Sequence, residues 1–118
     1  MKEIDRMLFI KRVNWPRESG KEYLFLHVKL KGEDFMWFSR PGENRHAQIA
    51  RSLETALQIP LGTIDKDKPE QNIGGGAVDI DLQGKHVKIY GESGEFGAYD
   101  RETVERLLTA EGFTAEYI

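Results

Sequence analysis

The segment I-G-G-G-A-V-D-I-D-L-Q-G-K-H-V-K-I-Y-G-E-S-G-E-F-G, residues 73–97, carries the pattern from which the fold can be read. In its middle, Val78, Ile80 and Leu82 alternate with Asp79 and Asp81, and Gln83-Gly84 then turns the chain into residues 86–90. Successive side chains on a strand point to opposite faces, so this alternation predicts a hairpin with one buried and one solvated face. Glycines punctuate both ends: Gly74, Gly75 and Gly76 before the hairpin, Gly91, Gly94 and Gly97 after it. Glycine tolerates positive φ and lets backbone N–H groups approach a ligand. Two glycine loops at neighbouring strand ends therefore predict a concave site for an anion.

Upstream, Leu24, Leu26, Val28 and Leu30 share one face of a strand over residues 23–30, while Tyr23, Phe25, His27 and Lys29 share the other. Lys31-Gly32-Glu33-Asp34 reads as a hairpin connection into an aromatic strand over residues 35–38, and residues 7–13 read as an earlier strand closed by Asn14-Trp15-Pro16. After the break at Ser39-Arg40-Pro41-Gly42, a helix is predicted from near Glu43 to about Gln58, ended by Pro60. Ile49, Ala50, Leu53, Ala56 and Leu57 give it one apolar stripe. Residues 62–71, rich in Asp, Lys and Pro, read as a surface connection. Beyond the opening segment, Asp100 is a good N-cap for a helix over residues 101–111 carrying Val104, Leu107 and Leu108 inward; Gly112 suits its C-terminal cap, and residues 113–118 form a last strand. Strands, helix, strands, helix, strand: this order predicts an α/β fold, one domain over residues 1–118, with a mixed sheet of about six strands flanked by two helices.

The chain has 118 residues, enough for one core and too few for two ordinary domains. It contains no cysteine, which removes disulfides and every cysteine-nucleophile mechanism and fits a cytoplasmic protein. No apolar run approaches a membrane span, and the start of the chain has no leader pattern. With a net charge of −3 and both signs interspersed, neither a nucleic-acid nor a membrane partner is expected. The aromatic run Phe35-Met36-Trp37-Phe38 could stack bases, but no basic stripe accompanies it. A monomer is expected.

His46 is the leading candidate for chemistry. It precedes Ile49, Ala50 and Leu53 at helical spacing, which puts it at the edge of the inward stripe and near the helix start. The partial positive charge of a helix N-terminus favours neutral imidazole, the form that acts as nucleophile or general base. The plainer alternative is a histidine satisfied at the rim of the core. His27 lies on a strand face that something could cover, and His86 is expected to face water; neither makes a metal-ligand spacing with another residue. Asp79 and Asp81 are most simply the polar face of the hairpin, so no metal and no cofactor is expected. In the second glycine loop, Ser93 adds a hydroxyl to accessible amides, while Glu92 and Glu95 must point away from any phosphate.

Taken together, Gly74-Gly75-Gly76, the hairpin, residues 87–91, Ser93, Phe96-Gly97, the second helix and His46-Ala47-Gln48-Ile49 resemble the Janus/Ocnus family, which includes a small protein-histidine phosphatase. The likeness is collinear from about Tyr23 onward. It implies a metal-independent phosphatase of phosphohistidine or related phosphoramidate groups, on a protein or a small molecule. His46 would be the essential histidine, with Ala47, Ser93, Gly94 and Glu95 as phosphate-binding positions, Lys21 as an auxiliary cation, and Gly74, Gly75, Gly76 and Gly91 shaping the loops. Two family cations are missing: Ala77 stands where an arginine follows the glycine triplet, and Glu22 where a strand begins with lysine. Charge-assisted contacts to phosphate are the strong ones, so a non-catalytic relative that binds a phosphorylated or anionic partner is the alternative.

Overall fold

Alternation on both faces of residues 23–38 dictates a sheet buried from two sides, and that is what the computed structural model, which describes residues 10–118, contains. The strands are β1 (Val13–Asn14), β2 (Gly20–Leu30), β3 (Glu33–Phe38), β4 (Gly74–Asp81), β5 (His86–Tyr90) and β6 (Thr114–Tyr117). They form one mixed sheet in the order β1-β3-β2-β4-β5-β6. The inner pairs are antiparallel, whereas β1 runs parallel to β3 and β6 parallel to β5. Helix α1 (His46–Leu57) covers one face and α2 (Arg101–Ala110) the other.

The two faces are read directly from the strands. Leu26, Val28, Leu30, Phe35 and Trp37 bury with Ile49, Leu53 and Leu57 of α1; Phe25, Met36, Phe38, Val78 and Ile89 bury with Val104, Leu107 and Leu108 of α2. The aromatic run of β3 is thus divided between two cores, with all four side chains buried. The β2–β3 turn is two residues, Lys31 and Gly32, both at positive φ (50° and 79°). That is the turn whose twist matches a right-handed hairpin.

Three expectations change. Of the strand expected over residues 7–13, residues 7–9 lie outside the described residues, and strand pairing begins only at Val13. The connection over residues 62–71 is not simply surface: Ile64 and Gln71 are buried, and a short 3₁₀ turn (Pro69–Gln71) closes it. Its anchor is Glu54, a fully buried carboxylate on α1. Glu54 Oε2 accepts the amides of Gly62 (3.0 Å) and Ile64 (2.8 Å), and Oε1 lies 2.7 Å from Arg51 Nε. Thirdly, Gly74-Gly75-Gly76 is not a loop. It is the buried start of β4, paired to Leu26 and Phe25 of β2 through Gly75 and Gly76.

Candidate functional site

Why three glycines open a central strand follows from their neighbours. None has positive φ, so the requirement is space rather than conformation. A Cβ on Gly74 would strike the Ala98 carbonyl; on Gly75 it would lie 2.5 Å from the Phe25 carbonyl oxygen and 2.7 Å from His46 Cδ2; on Gly76 it would lie 3.0 Å from the Phe25 ring and 3.1 Å from the Gly91 carbonyl oxygen. The triplet is a trough in the sheet, and the His46 ring rests over its middle residue.

His46 is the first residue of α1. The helix starts there because Gln48 Oε1 accepts the amides of Asn44 (2.7 Å) and Arg45 (2.9 Å), tying the incoming chain to the first turn. His46 Nε2 lies 3.0 Å from the Gly76 carbonyl oxygen. A carbonyl only accepts, so Nε2 donates, and in the neutral ring the lone pair is left on Nδ1. The ring is half-buried, and the amides of His46 and Ala47 are among the donors that a helix's first turn leaves unpaired.

The loop over residues 91–97 is held on the same stretch of β4. Gly75 N donates to Gly97 O (3.1 Å) and Ser93 N donates to Gly75 O (2.9 Å), while Gly97 N closes back on Ser93 O at 2.8 Å. Gly91 and Gly97 take positive φ, 68° and 86°, at its two ends. Ser93 Oγ is buried and accepts the amides of Phe96 (2.9 Å) and Glu95 (3.3 Å). Ser93 therefore builds the loop, with its own amide and the Glu95 amide already engaged. Gly94 is exposed and its amide makes no bond to a described residue. Glu92 and Glu95 are exposed.

His46, Gly75, Gly76, Gly91 and Ser93 are thus brought together, with Ala47 beside His46 and Gly94 beside Ser93. Lys21 is not joined to them by any contact. It lies in a β-bulge between Gly20 and Tyr23, where Glu22 takes φ 61° and gives its amide to Asp79 Oδ1 at 2.9 Å. The same Asp79 oxygen accepts the Tyr90 hydroxyl at 3.0 Å; burial first, then this carboxylate, pushes the Tyr90 phenol up. Asp81 Oδ1 caps the β4–β5 turn through Gly84 N, so both aspartates are structural. Ala77 pairs with Leu24 and Tyr90 across the sheet and shares their face, the α1 side.

One polar cluster went unseen in the sequence. His27, fully buried under α2, bonds through Nε2 to Asp34 Oδ1 at 2.9 Å, and Asp34 Oδ2 takes Arg106 of α2 at 2.9 Å. His27 and Asp34 are diagonal neighbours in the hairpin, since Asp34 pairs with Lys29; that register was the signal available. Burial would raise the Asp34 pKa, but the bonds to His27 and Arg106 outweigh it and hold the carboxyl below its ordinary value. His86, expected to face water, is half-buried with Nδ1 2.9 Å from Thr114 Oγ1. Among the described residues no three carboxylates or imidazoles cluster as metal ligands, and no helix is long and apolar enough to cross a membrane.

The residues that build this arrangement, a helix-start histidine seated on a glycine trough beside a glycine-serine loop, fall within one family match. The model of the Janus/Ocnus family (Ocnus) covers residues 9–116. The chain belongs to the Janus/Ocnus family. No curated protein matches it. For this Janus/Ocnus chain the family match spans all six strands and both helices, apart from the final strand residue, and includes every residue of the trough and the loop.

Proposed function

We propose that this Janus/Ocnus chain hydrolyses phosphoramidates, phosphohistidine or a related N-phosphoryl group, carried on a protein or on a small molecule. The observation that carries the reading is the 3.0 Å bond from His46 Nε2 to the Gly76 carbonyl oxygen. It fixes the ring by a backbone acceptor and, in the neutral ring, leaves the lone pair on Nδ1 at the start of a helix whose first amides lack intrahelical partners, which supports Nδ1 as the reacting atom.

The chemistry asks little more. A phosphoramidate whose imidazole is protonated has a good leaving group, so the site must position the phosphoryl group, stabilise its oxygens and supply one basic atom. In one route Nδ1 attacks phosphorus, the P–N bond to the substrate breaks, and the leaving imidazole departs neutral with its proton. Water then cleaves the P–N bond on His46, releasing phosphate. In the other, Nδ1 takes a proton from the attacking water and phosphate forms directly. In both, Gly76 stabilises positive charge on the ring through Nε2–H. The amides of Ala47 and Gly94 would hold the phosphoryl oxygens.

The test is dephosphorylation of a phosphohistidine substrate in the presence of a chelator. His46→Ala is expected to cut turnover by roughly 10²–10⁴ with an unchanged circular dichroism spectrum; retained activity in that variant overturns the reading. A second reading is favoured by Ala77 and by the exposed Glu22, Glu92 and Glu95, which make the surroundings poor in cations. Under it the chain binds a phosphorylated or anionic partner without turnover, seen as phosphate-dependent NMR shifts at Ala47 and Gly94 with no product.

A further inference from the structure

A cleft of about 630 Å³ opens where β1 leaves the sheet and β3 ends, well within the size range of ligand sites. Its apolar walls are Trp15, Tyr23 and Phe38. Trp15 is held rigidly: its ring stacks on Phe38 at 4.9 Å and on Phe113 at 3.9 Å, and its Nε1 donates to Glu111 at 3.0 Å. The Tyr23 hydroxyl is turned back onto the Glu18 carbonyl oxygen at 2.9 Å.

Three cations line the same cleft, Lys11, Arg17 and Arg40, against one carboxylate, Glu18. In a chain of net charge −3 this is a local reversal of sign. Elsewhere Arg12, Arg51, Lys88 and Arg106 meet carboxylates, yet none of these three makes an ion pair with a described residue. Among the described residues, the Arg40 guanidinium lies over the Trp37 ring, 5.9 Å away, and meets no carboxylate. Cations without a carboxylate partner among the described residues, set around rigid aromatic walls, complement a chain that alternates carboxylates with apolar side chains.

We infer that the cleft is a docking site for an acidic, aromatic-containing segment of a protein. Arg40 and Pro41, which line the cleft, begin the short connection along the chain that ends at His46. A segment seated there lies on the same chain path that positions the histidine, and it anchors the protein whose phosphoryl group is to be removed. This occupant rests on the proposed reading that the target is a protein.

The test uses the full chain and a fluorescent peptide of alternating Glu and Phe, with counterparts carrying Gln or Lys in place of Glu. By anisotropy at low salt, the Glu peptide is expected to bind about tenfold more tightly than the Gln peptide, and raising the ionic strength should erase the difference. Arg17→Glu with Arg40→Glu should abolish the preference, and NMR shifts should fall on the Trp15 indole and the Ser39 amide. Equal binding of Glu and Gln peptides overturns the inference. So do shifts centred on Lys29, Lys31 and Lys68 instead, or equal competition by a single-stranded oligonucleotide or a small aromatic dicarboxylate. These peptides carry no phosphoryl group, so loss of binding condemns the docking site alone. Loss of turnover on a small phosphoramidate condemns the catalytic reading alone.

Discussion

Gly75 is the residue on which the candidate site depends most directly. A methyl group there meets the Phe25 carbonyl oxygen and the His46 ring at once, and backbone cannot step aside. Gly75→Ala is therefore expected to cost about 1–3 kcal/mol, as overpacking does, and to lift the imidazole from Gly76. Urea unfolding reads the first effect, and the ¹⁵N shifts of the His46 ring read the second as loss of the Nε2–H tautomer. Asp34 makes a different kind of single-residue prediction. Its folded pKa lies below the unfolded value because the bonds to His27 and Arg106 outweigh burial. A depressed carboxyl contributes stability above the unfolded pKa and loses it as pH falls through the folded one. Asp34→Asn should thus cost about 1–3 kcal/mol at pH 7, and the gap to the wild type should narrow steadily below about pH 4, as measured by urea midpoints across that range.

At the scale of elements, the periodic segments announced themselves. The stripes of α1 and α2 and the alternation of β2 and of the β4–β5 hairpin are statements about which face is buried, and each is written in apolar residues at a fixed spacing. The glycine triplet misled because glycine has two reasons to be present. Turn conformation was inferred, whereas the requirement proved to be close approach inside a strand. Glu54 was invisible for a related reason: a charged residue at helical spacing reads as solvated until the connection that folds over it is known. That connection hangs on its carboxylate, so Glu54→Ala should destabilise the protein by about 1–3 kcal/mol, the cost of leaving a buried amide without its acceptor. Amide exchange should locate the loss at Gly62 and Ile64, which lose their acceptor. His46 could be chosen from the sequence by its helix position. The choice of Nδ1 could not, because it depends on a carbonyl 30 residues away in the chain.

Across the whole molecule, two cores share one sheet. β2 and β3 send alternate residues into each, so neither helix can leave without exposing strands that the other still covers. The two tryptophans report separately on this arrangement, since Trp37 belongs to the α1 side and Trp15 packs on the α2 side. Single-tryptophan variants, Trp15→Phe and Trp37→Phe, should each unfold in urea with fluorescence and circular dichroism curves that superimpose within that variant. Divergent midpoints between the two probes would show that the layers come apart independently. The layer order and strand content were legible in the sequence because they follow from local periodicity. The pairing that sets β1 beside β3 was not, since two residues make too short a pattern.

The loop over residues 91–97 is fastened to Gly75 by both that residue's N–H and its carbonyl, and the histidine sits on the same backbone. Neither half of the site waits for the other to arrive. Under the proposed function, a ligand would meet donors and base already fastened to the central strand, so little ordering entropy would be lost on binding. Occupancy would then be governed by encounter and escape rather than by a closing step, with an observed association rate expected to rise in proportion to ligand concentration.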